Sequence, residues 1–346
     1  MRPVFAAALL LSGCGATTVV GPRAADRITA APDVPAIAET DPVASADDAA
    51  DDPAIWRNRR SPAKSLIVAT DKQAGVHVYD LAGKRLSYTP APRLNNVDLR
   101  ESGGRITVVA SDRADVAQAH VSLFDLDPAT AKLRPLGRFP VGPGEAYGMC
   151  LWTRPRDGAL FGFVVLKDGR IDQVAIDRSG AAPQVRTVRS MKLASQSEGC
   201  VVDDRTGTLY VAEEDVGLWR FAADPAASTA ATAVARVDGT TLVADAEGLA
   251  LAPEGRTGGY LVVSSQGDNA YTLYRLPGVT YAGRFRIGGG AVDATSDTDG
   301  IDLVLGSFGP AYPRGLMVAQ DGDNAPATQN FKYVSWAAVR KALRLR

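Results

Sequence analysis

The residues in this chain best suited to chemistry are carboxylates. Asp47-Asp48-Ala49-Ala50-Asp51-Asp52-Pro53-Ala54-Ile55-Trp56 sets four acids ahead of an apolar run. Ser197-Glu198-Gly199, Ala212-Glu213-Glu214-Asp215 and Asp245-Ala246-Glu247-Gly248 set further acids against strand-forming or glycine positions. Asp293-Ala294-Thr295-Ser296-Asp297-Thr298-Asp299-Gly300-Ile301-Asp302 holds four more within ten residues. Taken singly, each cluster reads as a turn whose Asp caps its own backbone. Gathered in one place, the acids would repel one another unless cations lay among them. The chain has 39 acids against two His and three Cys, so the fitting cation is hard and oxygen-loving, with Ca2+ foremost. The last run lacks the closing Glu of an EF-hand loop, so that motif does not apply.

Lys72, Arg113 and Lys167 lie in the same set of loops. Each alone is an ordinary solubilising charge. Beside metal-held carboxylates they suit an anionic, phosphate-bearing ligand. Covalent phosphate chemistry has little material. His77 and His120 stand in no Arg-His-Gly context, and neither Cys150 nor Cys200 opens a phosphate-cradling loop. With 38 Lys+Arg and a net charge of −1, the chain has no field for gripping nucleic acid, and no such partner is expected. Apolar residues at 46% and charged ones at 22% exclude wholesale disorder.

Six copies of one pattern must position these groups. A β-branched apolar run ends in a small polar or acidic cluster at residues 66–71, 108–112, 163–168, 209–215, 261–267 and 316–321. Asp71 and Asp321 are 250 residues apart over five intervals, a mean of 50. Alternating runs such as Val76-His77-Val78-Tyr79 and Tyr271-Thr272-Leu273-Tyr274 follow, with Gly or Asp at the turns. Only residues 336–346 read as helix, and weakly. The pattern predicts an all-β chain folded as a six-bladed β-propeller, since one blade cannot bury its own faces. A tandem of β-sandwiches would not keep this phase. The six runs are expected as inner strands whose ends gather at one mouth of the channel.

Arg2 precedes an apolar run at residues 4–11 and then Leu11-Ser12-Gly13-Cys14, the form of an export signal. The run is too short to remain as a membrane span. The tetrapeptide resembles the lipobox of bacterial lipoproteins, in which the cysteine is acylated. Residues 1–13 are therefore expected as a signal peptide and Cys14 as the lipidation site. Residues 14–37 are expected as a tether and 38–346 as the propeller. Gly15 after the cysteine fits an outer-membrane or cell-surface lipoprotein that meets the membrane only through its lipid. In that oxidising compartment Cys150 and Cys200 are open to two readings, one disulfide or two separate buried thiols.

The ordered motifs resemble the β-propeller phytases, an alkaline, calcium-dependent family. The resemblance runs from Ala38-Glu39-Thr40-Asp41-Pro42-Val43 to Asn330-Phe331-Lys332. Between these lie Asp48-Ala49-Ala50-Asp51-Asp52-Pro53, Asn95-Asn96-Val97-Asp98-Leu99-Arg100, Glu145-Ala146-Tyr147-Gly148 and Ser195-Gln196-Ser197-Glu198-Gly199. Tyr210-Val211-Ala212-Glu213-Glu214-Asp215, Asp245-Ala246-Glu247-Gly248-Leu249, Thr295-Ser296-Asp297-Thr298-Asp299-Gly300 and Val318-Ala319-Gln320-Asp321-Gly322 complete the series.

The resemblance implies a monomer that hydrolyses phosphomonoesters of myo-inositol hexakisphosphate, as calcium phytate, by metal-activated water attack. The products would be phosphate and lower inositol phosphates. It implies that Asp51, Glu198, Glu214, Asp245, Glu247 and Asp299 surround catalytic calcium ions, with Glu39 joining them from the N-terminal arm. Lys72, Arg113 and Tyr147 would contact the phosphate being cleaved, and Lys167 a neighbouring one. Asp52 with the carbonyls of Pro53 and Val97 would hold a structural calcium ion, and Asp293, Asp323 and Asn324 another. Gln73 stands where the family often has a second Lys, and Pro326 where a further acidic ligand is expected. The rival readings are another calcium propeller hydrolase, of lactonase or phosphotriesterase type, and a binding propeller without turnover. Neither needs Lys72, Arg113 and Lys167 together.

Overall fold

The computed structural model describes residues 29–91 and 93–345. The expected signal peptide and lipidation site Cys14 lie outside the described residues. Six small sheets follow one another along the chain. They span residues 50–90, 94–143, 146–192, 197–236, 246–288 and 301–335, here blades one to six. The first strand of each blade packs against the first strands of its neighbours, so these six strands line a central channel. The chain is a six-bladed β-propeller.

The second strands are Leu66–Asp71, Arg105–Asp112, Leu160–Leu166, Thr208–Glu213, Gly258–Ser265 and Gly315–Asp321. Nearly every residue in them is buried. Each is paired on both edges and covered on both faces, which admits only a near-continuous apolar run. These are the six runs legible in the sequence. They are second strands, not the inner strands expected of them. The true inner strands are Ala50–Trp56, Leu94–Ser102, Ala146–Thr153, Ser197–Asp203, Ala246–Glu254 and Ile301–Leu305, which begin among acids, amides and glycines.

Blades pack face to face through aliphatic side chains. Val68 and Val78 of blade one, for example, meet Leu99, Val108 and Phe124 of blade two. Full burial of one such side chain contributes roughly 1.5–3 kcal/mol. Neighbouring inner strands belong to different sheets and need other ties. Asp302 accepts the Ile55 N–H at 2.8 Å, Asp52 the Val97 N–H at 2.9 Å, and Asp98 the Leu151 N–H at 2.7 Å. At the next boundary Cys150 and Cys200 form a disulfide, with their Cα atoms 5.7 Å apart. A Cβ on Gly148 would stand 1.9 Å from the Glu198 carbonyl oxygen, so that approach requires glycine.

The ring closes with the N-terminal arm. Ala38–Glu39 is the outer strand of blade six, with Ala38 opposite Tyr333 and Glu39 opposite Lys332. Asp33–Pro35 runs parallel to Thr280–Gly288 as a fifth strand of blade five. The expected tether over 14–37 therefore joins the propeller from Asp33 onward. Three residues are too few to show a strand's alternation in sequence. A short terminal helix, Trp336–Ala342, buries Trp336 and Val339 against blades five and six.

The disulfide joins residues 50 apart in sequence. Its removal in a Cys150→Ala/Cys200→Ala variant is expected to cost about 4 kcal/mol through chain entropy. Denaturant unfolding should show a lower midpoint, with the native β-sheet signal unchanged in buffer.

Candidate active site

The mouth is built from two positions repeated around the ring. In blades one to five the inner strand carries one more residue than its partner. Ala50 and Pro53 pair with Asp71 and Ala69, and Leu94 and Val97 with Asp112 and Ala110. Ala146 and Gly148 pair with Leu166 and Val165, Ser197 and Cys200 with Glu213 and Val211, and Ala246 and Leu249 with Ser265 and Val263. Asp51, Asn95, Tyr147, Glu198 and Glu247 sit in these bulges. Asp299 holds the equivalent place in blade six, two residues before Ile301–Leu305. A bulge residue leaves the ladder and can be re-aimed.

The second position is the residue after each second strand: Lys72, Arg113, Lys167, Glu214, Gln266 and Gly322. The first five donate their backbone N–H to the residue two before the bulge position. The acceptors are the carbonyls of Ala49, Arg93, Glu145, Gln196 and Asp245, at 2.7, 3.0, 3.2, 3.1 and 2.9 Å. One bond made five times sets both rings at one depth. The acids that end the second strands brace loops instead. Asp71 accepts the Ser45 N–H at 3.2 Å, Glu213 the Ser195 N–H at 2.7 Å, and Asp321 the Ser296 N–H at 3.0 Å.

Lys72, Tyr147, Glu214, Asp245, Glu247 and Asp299 line a cavity of about 370 Å³. Glu198, Glu214 and Glu247 offer oxygens that all lie within 4.8 Å of one another. The Lys72 ammonium stands 2.7 Å from Asp48, 3.0 Å from Asp299 and 3.3 Å from Asp51. Arg113 pairs with Glu145 at 2.7 Å. Its guanidinium and the Lys167 ammonium lie 5.4 and 5.2 Å from the centre of the Tyr147 ring, so one aromatic face system gathers two cations. Burial, and then the neighbouring Glu198 carboxylate, push the Tyr147 phenol well above its usual range.

Burial is the main cause that raises the pKa of these acids, and neighbouring carboxylates add to it. Glu198 and Glu247 are held well above the usual carboxylate range. Glu214 and Asp299 are each raised to about 7. Asp51, Glu214 and Glu247 each keep a buried oxygen with no hydrogen-bond partner. A dense set of oxygen donors with open lone pairs fits hard divalent cations.

Asp52, Pro53 and Val97 come together one step down the channel, around a second cavity of about 450 Å³. Glu39, Asp293 and Asn324 also meet, but around a lysine. The fully buried Lys332 ammonium contacts Glu39 and Asp293, and lies 3.1 Å from both Asn324 and Asp321. Asp323 is not in this cage; its carboxylate accepts the Ala325 N–H at 3.2 Å. Glu39 is thus held at the arm and does not join the acids of the mouth. The strand pairing that sets Glu39 opposite Lys332 is the reason. The Lys332 ammonium takes the centre of this cage, where it meets three carboxylates. Sequence reading missed Lys332, Asp48, Gln266 and Asn95. Gln266 donates to Asp299 at 2.7 Å. The repeat offered a signal for it, since it follows a second strand as Lys72 does.

Fold and mouth define a propeller that concentrates acids for cations and bases for an anion. Known proteins narrow this class. The family that matches residues 3–345 is Phytase. The chain is 41% identical over 327 residues to a 3-phytase of Bacillus subtilis (strain 168), covering 90% of this chain and 85% of that one. It belongs to the phytase family and is a phosphomonoester hydrolase. Among solved structures, a functionally unknown protein from Desulfotomaculum acetoxidans DSM 771 is 18% identical, covering 67% of this chain and 70% of that one, with a TM-score of 0.48. A chain of the mitotic checkpoint complex is 15% identical, covering 94% and 87%, with a TM-score of 0.47. Neither likeness bears on function.

Two outcomes are expected. A carboxyl whose folded pKa exceeds its unfolded value stabilises the fold most below the unfolded value, about 4, and loses that contribution as pH rises through the folded one. For Glu214 and Asp299 the folded value is about 7. Chelated protein should therefore melt at a falling temperature from pH ~4 to ~7, and an added hard divalent cation should reverse the loss. Separately, Lys332→Met leaves buried Asp321 without its ammonium and should cost roughly 3–5 kcal/mol in denaturant unfolding.

Proposed function

We propose that this protein hydrolyses phosphomonoesters of myo-inositol hexakisphosphate as its calcium salt, with Ca2+ as the resident metal. The observation that carries this reading is the shared cavity. Carboxylates with partnerless buried oxygens line it, and Lys72, Arg113 and Lys167 stand at the equivalent position of three successive blades. When bound, calcium would neutralise phosphate oxygens and acidify a neighbouring water.

The chain's own residues supply the rest. Asp51, Glu198, Glu214, Asp245, Glu247 and Asp299 would hold the ions. Lys72 and Arg113 orient the phosphate to be cleaved, which converts diffusion of an anion into a fixed approach. Lys167, which like Arg113 stands against the Tyr147 ring, holds a neighbouring phosphate of the same inositol ring. Glu214, raised toward neutrality, suits a group that takes the proton from attacking water. The proposed route is direct attack by water, with the mouth acids engaged as cation holders rather than as nucleophiles and no covalent phospho-enzyme. Two phosphate positions favour release of alternate phosphates and leave lower inositol phosphates. We further propose that Cys14 anchors a monomer to the outer membrane or cell surface, which metabolic labelling with palmitate would show.

Phosphate release from calcium phytate is the direct test. It should vanish with chelator and return with Ca2+. Glu214→Gln should lower kcat by about a hundredfold or more, with an unchanged melting curve in calcium. A folded, calcium-loaded protein that releases no phosphate would refute the reading.

A further inference from the structure

Five of the six bulge positions carry residues with roles at the mouth: Asp51, Tyr147, Glu198, Glu247 and, by position, Asp299. The remaining one is Asn95, which is completely buried. Its amide joins two of the working groups. Asn95 Nδ2 donates to Glu198 Oε1 at 2.7 Å, and Asn95 Oδ1 accepts from Arg113 Nη1 at 2.8 Å. Arginine can only donate, so Oδ1 must face Arg113 and the NH₂ group must face Glu198. Its second N–H is taken up by the neighbouring amide, with Asn95 Nδ2 also donating to Asn96 Oδ1 at 3.0 Å.

We propose that Asn95 is a positioning residue for the reaction at this mouth, coupling the base that orients phosphate to an acid that holds metal. This rests on the phosphohydrolase reading above. The residue type follows from the chemistry. A carboxylate here would hold Arg113 and repel Glu198. An ammonium would hold Glu198 and repel Arg113. A buried amide offers one donor and one acceptor and so links a cation to an anion without a charge of its own. The link crosses the channel from blade two to blade four, so it also ties the Arg113 side of the cavity to its acidic floor.

The test compares Asn95→Leu and Asn95→Asp with the parent protein. Readouts are kcat and KM for calcium phytate, and Ca2+ affinity by calorimetric titration without substrate. Asn95→Leu breaks both bonds. It should lower kcat by about ten- to a hundredfold, the range for a hydrogen bond to a charged group, raise KM, and weaken Ca2+ binding. Asn95→Asp keeps the acceptor for Arg113, so it should lower kcat while KM stays near the parent value. Unchanged kcat, KM and Ca2+ affinity in both variants overturn the proposal, even if the melting temperature falls. If Asn95→Leu does not fold, the kcat and KM of Asn95→Asp decide. If the parent protein releases no phosphate, the phytase reading fails by itself. The Ca2+ titration of Asn95→Leu then decides, and parent-like affinity overturns the role of Asn95.

Discussion

Carboxylates buried together cannot all ionise unless positive charge is placed among them. This constraint organises the molecule. At the rim, Lys72 answers it for Asp48, Asp51 and Asp299. Deeper in the mouth, Glu198, Glu214 and Glu247 cluster without a lysine among them, and Glu214 and Glu247 keep buried oxygens with no hydrogen-bond partner. At the arm that closes the ring, Lys332 satisfies the demand internally. The three arrangements differ in whether the countercharge belongs to the chain. At the arm, where Lys332 supplies it, the site is a brace. Where the countercharge does not belong to the chain, the fold holds a place for a cation.

The backbone makes this concentration affordable to the sheets. Each acid of the mouth stands in a bulge, just before a strand or just after one, so its charge is not forced into a paired ladder. Gly148 lets adjacent inner strands approach to contact. The ties between inner strands run in sequence around part of the ring. Carboxylate-to-amide bonds link blades six, one, two and three, and the disulfide links three to four. Acids therefore have two separate structural uses besides the chemical one: they brace loops from the ends of second strands, and they stitch blade to blade.

Much of this was legible in the sequence. The second strands announce themselves because burial on both faces imposes an unbroken apolar run. Six such runs at a steady interval carried the propeller. The mouth acids were legible as clusters against glycine. The inner strands were not, because a bulge destroys the two-residue period on which strand recognition depends. Asn95 was hidden for a different reason. Its role lies in bonding a cation of its own blade to an anion two blades away, and no spacing in one strand encodes that. Lys332 sits in a strand as an apparently misplaced charge, and its explanation arrives only with Glu39, 293 residues away in sequence.

The bulge has a consequence for variation. A residue in a paired strand is constrained twice, by its side chain's packing and by the ladder its backbone maintains. A residue in these bulges is released from the ladder, and its backbone keeps at most a bond to the next blade, as the Asp51 carbonyl does in accepting the Gly300 N–H at 3.0 Å. The present occupants already include an acid of either length, an amide and a phenol. The mouth is in effect a set of six interchangeable sockets on a rigid frame, whose contents can drift toward other anions or metals while the propeller behind them stays the same.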